Sequence, residues 1–192
     1  AIFWFRRDLR LEDNHGLFEV LKNYKNVLPI FIFDPEILDK LPKNDARVSF
    51  IYEQLKDLNS LDTNQKINTY YDRPEQVFNQ LISEFPIEAV YTNHDYEPYA
   101  IARDKTISDL LNLKNIVYKS YKDQVIFERN EVTKDDGLPY KVYTPYSKKW
   151  LGAFNEKCID AHPSENLLKH LSKMDFNRWV PLEAMGFSLS KL

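Results

Sequence analysis

The hydrophobic and polar positions of this chain fall into blocks that alternate between two periods. Ile2-Phe3-Trp4-Phe5 is a short apolar run, followed at once by the charges Arg6, Arg7, Asp8, Arg10, Glu12 and Asp13. Leu17, Val20, Leu21 and Tyr24 then recur at i, i+3, i+4 and i+7, one face of an α-helix. Asn14 or Asp13 is placed to cap it, and Gly16 in its first turn would permit a close backbone approach. Residues 27–33 form a second apolar run, as expected for a strand covered on both faces, and Asp34-Pro35 ends it. Residues 36–46 read as a polar loop, and Val48, Ile51, Tyr52, Leu55 and Leu58 as a second helix. Residues 66–71 predict a third strand. Pro74 suits the first position of the next helix, with Val77, Phe78, Leu81, Ile82 and Phe85 as its stripe. Residues 89–92 predict a fourth strand, and Tyr99, Ala102, Thr106, Leu110 and Leu111 a fourth helical stripe. Residues 115–118 predict a short fifth strand.

Strand followed by helix, four times over and closed by a strand, predicts an α/β fold: a five-stranded parallel sheet with right-handed crossovers and helices on both faces. From Ser120 the pattern changes. Residues 124–127 and 140–144 read as short β-like pieces around the turn signal Asp136-Gly137, and residues 145–154 as a helix with Trp150 and Phe154 on one side. From Cys158 to Leu192 the apolar spacing is irregular. That stretch predicts an extended tail that must pack on something, because Trp179, Met185 and Phe187 are poor solvent residues.

Composition narrows the function classes. The chain has 192 residues, 43% hydrophobic and 14% aromatic, which excludes a disordered polypeptide and suffices for one real core. Only four glycines are present, so Gly-rich phosphate loops are not expected. The net charge of −3 carries no footprint of a nucleic-acid binder. Cys158 is the single cysteine, which rules out an internal disulfide or a cysteine-based metal cluster. No run of about eighteen apolar residues exists to span a membrane, and no secretory leader pattern is present. A soluble chain in a reducing, cytoplasmic compartment is the expectation, with the missing initiator Met hinting at a trimmed N-terminus.

In an open α/β sheet, ligands bind outside the carboxyl ends of the strands. Those ends carry Arg6-Arg7-Asp8, Asp34, Asp72, and His94, Asp95 and Glu97. The set outlines a ligand crevice, or else ordinary loop charge. Arg6, Arg7 and Arg10 could grip an anion or pair internally with Asp8, Glu12 and Asp13; at least one such Asp–Arg pair is expected. The four histidines (15, 94, 162, 170) are scattered, so a metal site is not expected. No nucleophile elbow, Walker loop or GxGxxG is present. KVYTPYSKKW, with Lys148 and Lys149, could be a stacking surface for single-stranded nucleic acid, but packing under a loop is the preferred reading.

Three blocks carry a family resemblance. FWFRRDLRLEDNHGL resembles the N-terminal signature of the photolyase/cryptochrome family, YTNHDYEPYAIARD its second block and GLPYKVYTPYSKKW its third. VPLEAMGF resembles the segment that leads into the family's second domain. The resemblance implies that residues 1–130 are the core of a Rossmann-like N-terminal domain. Residues 131–192 would then end it and lead toward a helical domain, outside this chain, that binds FAD and damaged DNA. It implies the antenna-chromophore domain of a deoxyribodipyrimidine photolyase, monomeric, not catalytic by itself and with little DNA contact of its own. The alternatives are a cryptochrome-type blue-light signalling protein and a free-standing small-ligand module, the last requiring a stop codon after Leu192. Where folate-binding members carry Asn-Glu, this chain has Tyr99-Ala100, and a histidine used by those members is replaced near Leu41. The resemblance therefore implies a deazaflavin or flavin antenna rather than folate, held by Arg7, Phe33, Asp34, Arg47, Asp95 and Glu97. Some members carry no antenna, so an empty pocket is the other outcome.

Overall fold

The computed structural model describes residues 1–61, 66–154, 159–172 and 178–191; Cys158 and Leu192 lie outside them. The main elements are β1 (Ile2–Phe5), α1 (His15–Asn23), β2 (Leu28–Phe33), α2 (Pro35–Leu38), α3 (Ala46–Ser60) and β3 (Asn68–Tyr71). They continue with α4 (Pro74–Glu84), β4 (Ala89–Asn93), α5 (Pro98–Leu113), β5 (Val117–Tyr121) and α6 (Tyr143–Ala153). The strands form one sheet in the order β3-β2-β1-β4-β5, every pair parallel. The order reverses between β1 and β4, and the crevice of such a sheet opens at that switch point.

Alternating side chains on each strand supply the two halves of the core. Phe3, Phe5, Phe31, Phe33 and Tyr91 face α1 and α3, where Leu17, Val20, Leu21, Val48 and Leu55 meet them. Ile2, Trp4, Ile30, Ile32, Tyr70 and Val90 face α4 and α5, against Val77, Phe78, Leu81, Ile107 and Leu111. Asn14 caps α1 by accepting from Leu17 N at 3.1 Å. Pro74 stands in the first turn of α4.

Four sequence readings are corrected. The stretch 36–46 is not all loop: Asp34 accepts from Glu36 N at 3.0 Å and starts the short α2. The buried face of α5 is Ala100, Arg103, Ile107 and Leu111, so the apolar stripe had the wrong phase; a buried arginine occupies a position that apolar counting skips. β5 begins and ends later than 115–118, because its ladder with β4 runs on to the Asn93–Tyr121 pair. No strand forms at 124–127 or 140–144, where turns prevail and α6 begins. The Asp136-Gly137 turn is present, with Gly137 at φ 77°.

The tail packs as its apolar residues require, on this domain itself. Leu182, Met185 and Phe187 are buried in the α1/α3 half of the core, and Trp179 Nε1 donates to Tyr52 Oη at 2.9 Å. Thr69 N on β3 donates to Arg178 O at 2.8 Å, and Val180 N to Thr69 Oγ1 at 2.7 Å, so the tail covers the β3 edge of the sheet. The apolar tail therefore gives no argument against a free-standing module. α6 is the opposite case. None of its residues is buried, and Tyr143 is 78% exposed, so KVYTPYSKKW is not packed under a loop. No described helix is long and apolar enough to cross a membrane.

Gly16 sets α1 tightly against β1 and β4. A Cβ there would stand 2.6 Å from Asn93 Oδ1 and 3.0 Å from both Phe3 Cε2 and the Thr92 carbonyl oxygen. Gly16→Ala is expected to lower unfolding stability by about 1–3 kcal/mol in chemical denaturation; an unchanged midpoint would show that β4 yields to the methyl group.

Candidate functional site

The carboxyl ends of β1, β2 and β4 open onto one cavity of about 510 Å³. Trp4 from β1 and Phe31, Ile32 and Phe33 from β2 line its base. Ile37, Leu38 and Leu41, with Val48 and Ile51 of α3, form one wall. Tyr99, Ala100 and Arg103 from the first turns of α5 form another. Arg6, Arg7, Asp34, Arg47, Asp95 and Glu97 complete the lining. The structure thus brings Arg7, Phe33, Asp34, Arg47, Asp95 and Glu97 to a single cavity. Other strand-end residues lie elsewhere: Asp72 is exposed, Asp8 is buried in a polar knot, and His94 Nδ1 sits 2.6 Å from Glu128 Oε1.

The arginines do not pair with the side chains of their sequence neighbours Asp8, Glu12 and Asp13. Arg6 Nη1 lies 2.5 Å from both oxygens of Asp104, and its Nη2 donates to the Asn93 carbonyl. Arg10 reaches Asp123 Oδ1 at 2.7 Å and the backbone carbonyl of Asp13 at 2.7 Å. Arg7 donates to Glu97 Oε1, with Asp95 Oδ2 at 3.7 Å from its Nε. Arg47 holds Asp45 through two bonds of 3.0 and 2.8 Å. The loop after β1 runs toward the ends of β4 and β5, so its cations meet acids far away in the chain.

Asp34 accepts from the Tyr99 hydroxyl at 2.5 Å. Burial, reinforced by that bond, pushes the Tyr99 phenol well above its usual range. Arg103, its side chain only 7% exposed, donates to Asp104 at 3.0 Å, and its guanidinium carbon lies 4.9 Å from the Trp4 ring centroid. Among the lining residues that sequence reasoning missed as part of the site are Trp4 and Arg103, besides apolar wall residues such as Phe31, Leu38 and Ile51. A signal existed for Arg103, since Ala100, Arg103, Ile107 and Leu111 share one helical face and Asp104 is adjacent. The scattered histidines also come closer than sequence suggested: the rings of His15 and His162 stack at 3.6 Å. Among the described residues no group of three or more His, Cys, Asp or Glu is arranged to hold a metal.

The cavity lining contains no Ser, Thr, Cys, His or Lys among the described residues. An apolar slot with a few polar groups suits a flat ring system with hydrogen-bonding substituents.

Comparison with known proteins agrees with this geometry. A family model described as DNA photolyase matches residues 1–166. A deoxyribodipyrimidine photo-lyase from Synechococcus sp. is 32% identical over 151 residues, covering 78% of this chain and 31% of that protein. A bacterial class III photolyase structure from Agrobacterium tumefaciens superimposes with a TM-score of 0.80 at 26% identity, covering 95% of this chain and 37% of that one. An archaeal photolyase from Sulfolobus tokodaii, solved with two FAD molecules and described as implying a novel light-harvesting cofactor, gives 0.68 at 25% identity, covering 92% and 43%. The chain spans about a third of the length of the photo-lyases it matches.

Asp104 neutralises two buried guanidiniums behind the cavity. Asp104→Ala is expected to cost about 3–5 kcal/mol of stability, read by denaturant unfolding; a loss under about 1 kcal/mol would show that solvent already screens the pair. Asp45 gives a pH signature, since its hydrogen bonds to Arg47 hold its pKa at about 2. Its stabilising contribution is fully present above about pH 4 and fades as pH falls toward 2. In Asp45→Asn the acid limb of the stability profile is expected to be shallower over that interval.

Proposed function

The chain belongs to the DNA photolyase family, and on that premise we propose that its cavity holds the antenna chromophore of a light-driven enzyme that reverses pyrimidine dimers in DNA. The observation that carries this reading is the convergence of Arg7, Phe33, Asp34, Arg47, Asp95 and Glu97 on one aromatic-based cavity at the topological switch point. The chromophore is a deazaflavin or flavin rather than a folate. Tyr99 and Ala100 support this choice, because their side chains shape a wall of the slot where folate binding would use an Asn-Glu pair.

When bound, the chromophore absorbs light and passes the excitation energy to a FAD held elsewhere in the protein. The residues of this chain bind and orient it. Phe31, Phe33 and Trp4 offer apolar surface to the rings. Asp34, fixed by Glu36 N and Tyr99, presents remaining carboxylate lone pairs to ring or side-chain hydroxyls. The catalytic FAD and the damaged DNA belong to a helical domain outside these residues. The net charge of −3 supports little DNA contact by this part. A cytoplasmic monomer fits the same reading.

Titration of the 192-residue chain with 8-hydroxy-5-deazaflavin and with riboflavin, followed by ligand fluorescence, is expected to show saturable one-to-one binding. Ala100→Trp, which fills the slot, should abolish it, and Arg47→Ala should weaken it by about tenfold. Binding unaffected by both variants would remove the cavity from the reading. Blue-light reversal of dimers by the complete gene product tests the enzyme. No reversal with flavin bound would leave a cryptochrome-type signalling role in its place.

A further inference from the structure

We propose that the cavity selects chromophores whose side chain is an uncharged polyol and discriminates against those ending in a phosphate. The inference rests on the chromophore reading above and adds a ligand class to it. The argument is a charge inventory of the site. Each guanidinium on the cavity already has a carboxylate: Arg47 has Asp45, Arg7 has Glu97, and Arg6 and Arg103 share Asp104. A phosphate placed here would find no unpaired arginine and would have to break one of these pairs to gain one.

The acids, by contrast, are not all spent. Asp34 is 4% exposed and accepts only from neutral donors, Glu36 N and the Tyr99 hydroxyl. No cation among the described residues lies within salt-bridge distance of it. A carboxylate has about four acceptor positions, so two remain to receive hydroxyl hydrogens. Asp95, by comparison, is flanked by Arg7 at 3.7 Å and Arg103 at 4.0 Å, so the carboxylate left without a countercharge is Asp34. A buried carboxylate without a countercharge repels a dianion and favours a hydrogen-bond donor.

The amino ends of α3 and α5 both reach the cavity, and helix amino ends attract anions. Each already carries an acid as its cap residue, Asp45 on α3 and Glu97 on α5, and Pro98 removes one of the free N–H donors of α5. The polarity of the site therefore runs the same way at each of its edges: paired cations, available acceptors and helix ends already supplied with an anion.

The test compares riboflavin with its phosphate ester, FMN, on the full 192-residue chain at about 0.15 M salt, by fluorescence titration. The two share the ring and the polyol and differ in the terminal phosphate. Riboflavin is expected to bind about tenfold more tightly. Raising the salt is expected to narrow the gap, since repulsion of the phosphate is screened. Glu97→Gln, at an exposed position that removes one negative charge and frees Arg7, is expected to narrow it by about threefold. FMN binding as tightly as riboflavin, or a gap unmoved by both salt and Glu97→Gln, overturns the selectivity while leaving the chromophore pocket intact. Failure of both flavins and of the deazaflavin to bind overturns the pocket reading itself, and the selectivity with it.

Discussion

The ligand-facing end of this sheet depends on three buried polar side chains that satisfy one another: Asp8, Asn14 and Asn93. Asn93 Nδ2 donates to Asp8 Oδ2 at 2.6 Å and to Asn14 Oδ1 at 2.8 Å. Asp8 Oδ1 accepts from Arg6 N at 2.8 Å, and Asn93 Oδ1 accepts from Gly16 N at 2.8 Å. The chain must leave β1, turn, and start α1 within nine residues while its amides are cut off from water. Buried backbone groups need partners, and here side chains of β4 and of the loop itself provide them. The knot fixes the direction in which Arg6 and Arg7 leave the strand, and so decides which acids they can reach.

That constraint explains why local reasoning about the arginines failed while the cavity itself was legible. Strand positions could be read because apolar runs such as 27–33 are covered on both faces, and the rule placing ligands at strand ends then selects Arg7, Asp34, Asp95 and Glu97, though together with Asp8, Asp72 and His94, which do not line the cavity. Ion pairing is different. Arg6 meets Asp104 and Arg10 meets Asp123, at separations of 98 and 113 residues, and nothing in sequence spacing ranks those acids above nearby Asp8 or Asp13. The misphased α5 stripe has the same origin. Arg103 is buried because Asp104 and the Trp4 ring compensate its charge, and apolar counting assigns any arginine to solvent. β5 was misplaced because, as an edge strand, it shows the burial pattern of an exposed element.

The cavity is walled by side chains that hold one another in place. Its polar groups are locked in pairs that join different parts of the chain, Asp34 with Tyr99, Arg7 with Glu97 and Arg6 with Asp104, which also holds its helix neighbour Arg103. Such cross-links stiffen the walls, so little ordering cost remains for a ligand. The antenna chromophore proposed above would need a fixed orientation to hand on excitation, and these bonds tie the strand-end loops to α5 around the cavity. The exposed aromatics of α6 lie outside this arrangement and are not tied to it.

The tail that covers the β3 edge also sets a timetable for the chain as it is made. Asn14 N bonds to Ser164 Oγ, Val27 bridges Leu171, and Ser190 N donates to Ser49 Oγ. The first fifty residues therefore cannot complete their own contacts until some 140–150 more have emerged from the ribosome. At about 5–20 residues per second this is a wait of roughly 7–30 s. During that interval the apolar runs of β1 and β2 are exposed without their final cover. Premature termination near residue 160 would leave a sheet with an open β3 edge.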